Sequence, residues 1–146
     1  MSVPHLNLFP NPFKGAPAIQ CNFDRFHQMA NKINAWTDFQ QFMDDCCRRL
    51  SVDPDVSGHG RWWRAMTYQT FITDGKVKGQ RIVMPGDPDN SVVLHALRGD
   101  PPDFSSTGRF RRMPLGGPYF DDADVLEVED WIRRGCPDKP DPVPTT

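Results

Sequence analysis

Long apolar runs are missing from this 146-residue chain, and nothing in it could span a bilayer. The opening Met1-Ser2-Val3-Pro4-His5 has neither a basic stretch nor an apolar core, so no secretory signal is read and a cytoplasmic setting is expected. An excess of one charge is missing too. Lys and Arg number 17 against 19 Asp and Glu, a formal net charge of -2, which gives no electrostatic case for nucleic acid or an anionic membrane. The one basic run, Arg109-Phe110-Arg111-Arg112, is short and reads as a solvated loop.

Cysteine is sparse. Of the four, Cys46 and Cys47 are adjacent while Cys21 and Cys136 stand apart, a spacing that suits neither a zinc knuckle nor a redox Cys-x-x-Cys pair. Reduced thiols are expected, with at least one of the adjacent two buried at a helix surface. His5, His27, His59 and His95 form no His-x-x-His or Glu-x-x-His pair, so no dedicated metal site is read. No Gly-rich loop follows a strand and no nucleophile elbow occurs, so there is no catalytic set. The carboxylates Asp44, Asp45, Asp121, Asp122 and Asp124 read as solvated helix caps and faces rather than an acid/base pair.

What is present is the composition of one small domain. Hydrophobic residues make up 38% and prolines number 15, which points to a compact unit with long, punctuated loops. Residues 1–22 read as an extended arm, broken by Pro4, Pro10, Pro12 and Pro17 yet carrying Leu6, Leu8, Phe9, Phe13 and Ile19. That arm is expected to lie in a groove, on this domain beside Phe39 and Phe42 or on a partner. Residues 23–136 form the helical domain, and residues 137–146 an extended Pro-rich tail.

Within the domain, Phe23, Phe26, Ala30 and Ile33 recur at helical spacing. Thr37-Asp38-Phe39-Gln40 has the form of a capping box, opening a helix with Phe39, Phe42, Met43, Cys46 and Leu50 on one face. Arg61 to Thr73 reads as a further helix stopped by Asp74-Gly75, with Trp62, Trp63, Met66 and Phe71 as core candidates. Asn90-Ser91 is expected to cap a short helix through Val92, Val93, Leu94 and Leu97, closed by Gly99. The last helix starts at Asp121 or Asp122, buries Val125, Val128, Trp131 and Ile132, and stops at Gly135. No alternating run is long enough for a sheet, so the class is all-α.

Three stretches then carry a resemblance. They are Met84-Pro85-Gly86-Asp87-Pro88-Asp89-Asn90-Ser91-Val92-Val93-Leu94, Arg112-Met113-Pro114-Leu115-Gly116-Gly117-Pro118, and Asp121 to Pro137 with Trp131-Ile132-Arg133-Arg134-Gly135. In order and spacing the set resembles bacterial cytochrome c-like domains, including the planctomycete type. It covers the C-terminal third to half of the chain. The resemblance implies a haem site with Met113 as axial ligand, and upstream a Cys-x-x-Cys-His-Gly motif for covalent attachment. Here that stretch is Asp55-Val56-Ser57-Gly58-His59-Gly60, with Asp55 and Gly58 in the cysteine places. Thioether attachment is chemically excluded.

The resemblance therefore implies a haem-free, cytochrome c-like accessory or small subunit, docking on and stabilising a partner protein such as an oxidoreductase. Trp62, Trp63, Met66, Tyr68 and Phe71 are expected to fill the space a haem would take. The competing expectation is an electron carrier with non-covalent haem ligated by His59 and Met113.

Overall fold

The computed structural model describes residues 31–140 and 142, and the elements below all belong to the unit Lys32–Thr146. The arm of residues 1–22 and the helix expected around Phe23, Phe26 and Ala30 lie outside the described residues. Helix α1, Trp36–Arg49, buries Trp36, Phe39, Phe42, Met43, Cys46 and Cys47 along one face, as side chains three and four apart must. The capping box at Thr37 does not form. Ala35 is the N-cap and makes no side-chain bond, while the Asp38 carboxylate accepts from the Asn34 amide at 3.1 Å. Trp36 accounts for the shift. Its ring stacks on Phe39 at 5.6 Å, a pairing that helical i, i+3 spacing provides once Trp36 joins the helix.

The helix expected over Arg61 to Thr73 is two. Helix α2 (Trp62–Ala65) ends where Met66 turns extended at ψ 147°, and α3 (Tyr68–Asp74) begins after Thr67, whose hydroxyl oxygen accepts from the Thr70 amide at 3.1 Å. Gly75 then ends α3, at the predicted stop. A two-stranded antiparallel hairpin follows, β1 (Lys76–Val77) against β2 (Gln80–Arg81). Lys78 and Gly79 both take positive φ, 49° and 79°, which is the backbone a two-residue hairpin turn requires. The domain is mostly helical rather than wholly so.

Ser91 does not cap through its side chain. It is fully buried, with its hydroxyl donating to the Asp87 carbonyl at 2.8 Å and accepting from the Met84 amide at 2.9 Å, which ties the Met84–Ser91 turn together. Helix α4 (Val92–Arg98) buries Val93, Leu94 and Leu97 and closes on left-handed Gly99, φ 74°. Helix α5 (Asp122–Arg133) is capped by Asp121, whose carboxylate accepts from the Asp124 amide at 2.9 Å. Its buried face is Val125, Val128, Trp131 and Ile132, the predicted stripe. Asp124 corrects the solvated reading: its side chain is only 3% exposed and pairs with Arg49 of α1.

An aromatic stack forms the centre. Trp131 lies 4.7 Å from Phe39 and 5.9 Å from Phe71, and Phe71 in turn lies 4.7 Å from Trp36 and 5.9 Å from Trp62. The start of the Pro-rich tail is pinned to this stack. The Trp131 indole N–H donates to the Pro137 carbonyl at 3.2 Å, and Tyr68 Oη donates to the Cys136 carbonyl at 2.9 Å. No helix among the described residues is long and apolar enough to cross a membrane.

Candidate functional site

Next to the stack, and sharing Trp62 with it, is an apolar cavity of about 540 Å³, walled by Met43 and Cys47 of α1, Trp62 of α2, Val93 and Leu97 of α4, and Phe104, Phe110 and Phe120 from the long loop between α4 and α5. That volume lies within the roughly 300–1,000 Å³ of small-molecule and cofactor sites. The expectation that aromatic residues fill this space is corrected here. Trp62 and Trp63 line it without closing it, and Phe71 is committed to the central stack. Tyr68 turns toward Trp36 and the Cys136 carbonyl, away from the cavity walls.

His59 and Met113 both line this cavity, although 54 positions of chain separate them. His59 follows the one-turn helix Pro54–Val56, which the Asp53 carboxylate caps by accepting from the Asp55 amide at 2.9 Å. Its ring Nδ1 stands 3.1 Å from the Gly60 carbonyl and 3.3 Å from Ser57 Oγ. A carbonyl can only accept, so Nδ1 carries the proton and donates to it. Nε2 is left as the ring nitrogen that could offer a lone pair. A backbone carbonyl on one ring nitrogen also orients histidines that ligate metals through the other.

Met113 is held by its neighbours. Its amide donates to the Ala96 carbonyl at 2.9 Å, and Arg112 Nε donates to the Leu97 carbonyl at 3.0 Å, so the loop is fastened to α4 at two consecutive residues. The Arg112 guanidinium also lies 4.2 Å over the Tyr119 ring. Gly99 permits this fastening, because a Cβ there would stand 2.7 Å from Arg112 Cδ. Asp55, in one of the cysteine places, pairs with Arg61 at 3.2 Å.

Imidazole and thioether are donor types that could ligate iron, and both come from residues lining this cavity. The cavity lining is predominantly apolar, and among the described residues His59 Nε2 has no hydrogen-bond partner. Asp44 and the buried cysteines serve structure. Asp44, expected to be solvated, is mostly covered: it accepts from the Trp63 indole N–H at 2.8 Å and from Arg64 at 2.7 Å. Burial opposes its ionisation, but these bonds and the charges of Arg64 and Arg61 outweigh it and hold the carboxyl below its usual range. Burial pushes the Cys46 and Cys136 thiols up to about 12 and raises Cys47, so none of the three is a thiolate at neutral pH. A second cleft near Phe42 has mixed-charge walls, with Arg48 already paired to Asp45 at 2.7 Å.

No family model, curated protein or solved structure matches this chain. The cavity walls Phe104, Phe110 and Phe120 escape a reading of the sequence, since they lie in a Pro- and Gly-rich stretch with no periodicity. The mutual spacing of Phe104 and Phe110, stacked at 5.4 Å, is visible only in three dimensions.

Proposed function

We propose that this chain is a cytochrome c-like electron-transfer domain that would hold haem without thioether bonds, with His59 and Met113 as the residues that would ligate its iron. The observation that carries the reading is the apolar cavity that these two residues share. The Gly60 carbonyl, 3.1 Å from Nδ1, orients the imidazole and leaves Nε2 as the nitrogen that would reach a metal. Met113 brings a soft, neutral sulfur on a fastened loop, a ligand that favours the reduced metal. Phe104, Phe110 and Leu97 make their part of the lining apolar, where an added charge would be costly. Bound haem supplies one-electron redox chemistry. None of the chain's own side chains needs to act as acid, base or nucleophile.

Titration of haem into the full chain tests this. One equivalent should bind with a sharp Soret band. His59→Ala and Met113→Ala should each weaken binding at least by the roughly 10–100-fold that follows loss of a group that merely orients a ligand. Failure of the wild type to take up haem, or variants that bind as tightly as it does, would overturn the assignment.

A second reading has its own support. Val56 and Leu115, which line the cavity, are 83% and 63% exposed, an apolar rim that a partner's side chains could cover. On that reading the chain is a haem-free accessory subunit of an oxidoreductase, an assignment resting on fold-level analogy. The same titration separates the two.

A further inference from the structure

A second group besides the Gly60 carbonyl reaches the His59 ring. Ser57 Oγ stands 3.3 Å from His59 Nδ1 and 2.6 Å from the Pro54 carbonyl. A hydroxyl has one proton, and the Pro54 carbonyl can only accept, so the shorter bond takes that proton. Toward His59 the Ser57 oxygen is left with lone pairs alone. Nδ1 therefore faces two acceptors, Ser57 Oγ and the Gly60 carbonyl at 3.1 Å, and its proton is shared between them. Among the described residues no carboxylate bonds to this ring, so both partners are neutral oxygens. The turn that delivers Ser57 is braced on both sides. The Ser57 amide donates to the Pro54 carbonyl at 3.1 Å, and the Gly60 amide donates to the Ser57 carbonyl at 3.1 Å. The Asp53 carboxylate caps the one-turn helix Pro54–Val56 just before it.

Resting on the haem reading above, we infer that Ser57 is a positioning residue for His59: its hydroxyl, committed to Pro54, holds the imidazole as the Nδ1–H tautomer and leaves Nε2 as the nitrogen that would face a metal. Ser57 lies between Asp55 and Gly58, the two places where the resemblance puts thioether cysteines. Covalent bonds from those places would help to hold the histidine against a haem. Without them, orientation falls to the hydrogen bonds on Nδ1. The Gly60 carbonyl belongs to the next residue in the chain, so its bond ties the ring only to its own neighbour. Ser57 adds an anchor in the capped one-turn helix.

Long-range proton–nitrogen NMR of the full chain, carrying nitrogen-labelled histidine and no haem, tests this at about pH 8.5, above the ordinary histidine range. The His59 signals are those missing from His59→Gln. Wild type should show the Nδ1–H pattern. Ser57→Ala should shift the tautomer ratio toward Nε2–H by about fivefold, the scale of one net hydrogen bond. Ser57→Thr, which keeps the hydroxyl, should restore the wild-type ratio. If Ser57 only braces its turn, Ser57→Ala moves the amide signals of Asp55, Ser57 and Gly60 and leaves the tautomer ratio unchanged, which overturns the assignment. A wild-type ring in the Nε2–H form, or a Ser57→Thr variant that behaves like Ser57→Ala, would overturn it as well. Haem uptake, measured separately on the same wild-type chain, decides the axial-ligand reading. A chain that shows the Nδ1–H tautomer and its dependence on Ser57 but takes up no haem would lose that reading and keep Ser57 as the group that sets the tautomer.

Discussion

Replacing Trp131 by alanine tests the core on which the cavity is built. Trp131 is fully buried in α5, stacks at 4.7 Å on Phe39, and donates its indole N–H to the Pro137 carbonyl. Removing most of a tryptophan's ~150–250 Å² of buried surface, at about 25 cal/mol per Å², costs about 4–5 kcal/mol. That agrees with the roughly 3–5 kcal/mol of large aromatic truncations. The Pro137 carbonyl loses its donor as well, at about 1 kcal/mol. Domains of this kind are stable by only about 5–15 kcal/mol, so the variant should sit near the edge of folding. Urea unfolding followed by far-UV circular dichroism measures the difference. Trp131→Phe keeps the stack and loses the bond, so it should lose only about 1–2 kcal/mol. A Trp131→Ala loss below about 1.5 kcal/mol would refute the stack as the centre of stability.

Three further outcomes follow from the same packing. The Asp44 carboxyl is held below its ordinary value of 3.8, so its contribution to stability is present above that pH and is lost as pH falls through the lower folded value; the urea midpoint should drop on acidification below about pH 4, and less so in Asp44→Asn. Gly99→Ala places a Cβ at φ 74° against Arg112, so it should cost about 1–3 kcal/mol and loosen Met113, read as a lower melting temperature together with weaker haem binding. In a Cys21→Ser background, Cys46, Cys47 and Cys136 should react with a thiol reagent only as the protein unfolds, followed by the release of a chromogenic leaving group, and fast labelling of the native protein would contradict their burial.

The parts of this fold that a sequence declares are those governed by local periodicity. The Val125, Val128, Trp131 and Ile132 stripe, the Gly99 stop and the Asp74-Gly75 stop appear where spacing and backbone chemistry place them. Elsewhere tertiary contacts prevail over local signals. The Thr37 cap yields to burial of Trp36, and Asp124 leaves water because Arg49 lies across from it on another helix. The break at Met66 is legible after the fact in Thr67 and Thr70, a cap within a run whose apolar spacing argues for one helix. His59 and Met113 stand out in sequence through their motifs, but their shared cavity does not. Its walls come from positions between 43 and 120, and no local pattern shows that the aromatics after His59 turn into the central stack.

The central claim is that the chain holds one haem without a covalent bond. Native mass spectrometry of the full chain, purified from cells supplied with haem, tests it most directly. The account predicts the polypeptide plus one haem under native conditions, the bare polypeptide after denaturation, and the bare polypeptide in both conditions for His59→Ala. A wild-type chain that shows only the polypeptide mass under native conditions, with no Soret band, would contradict it.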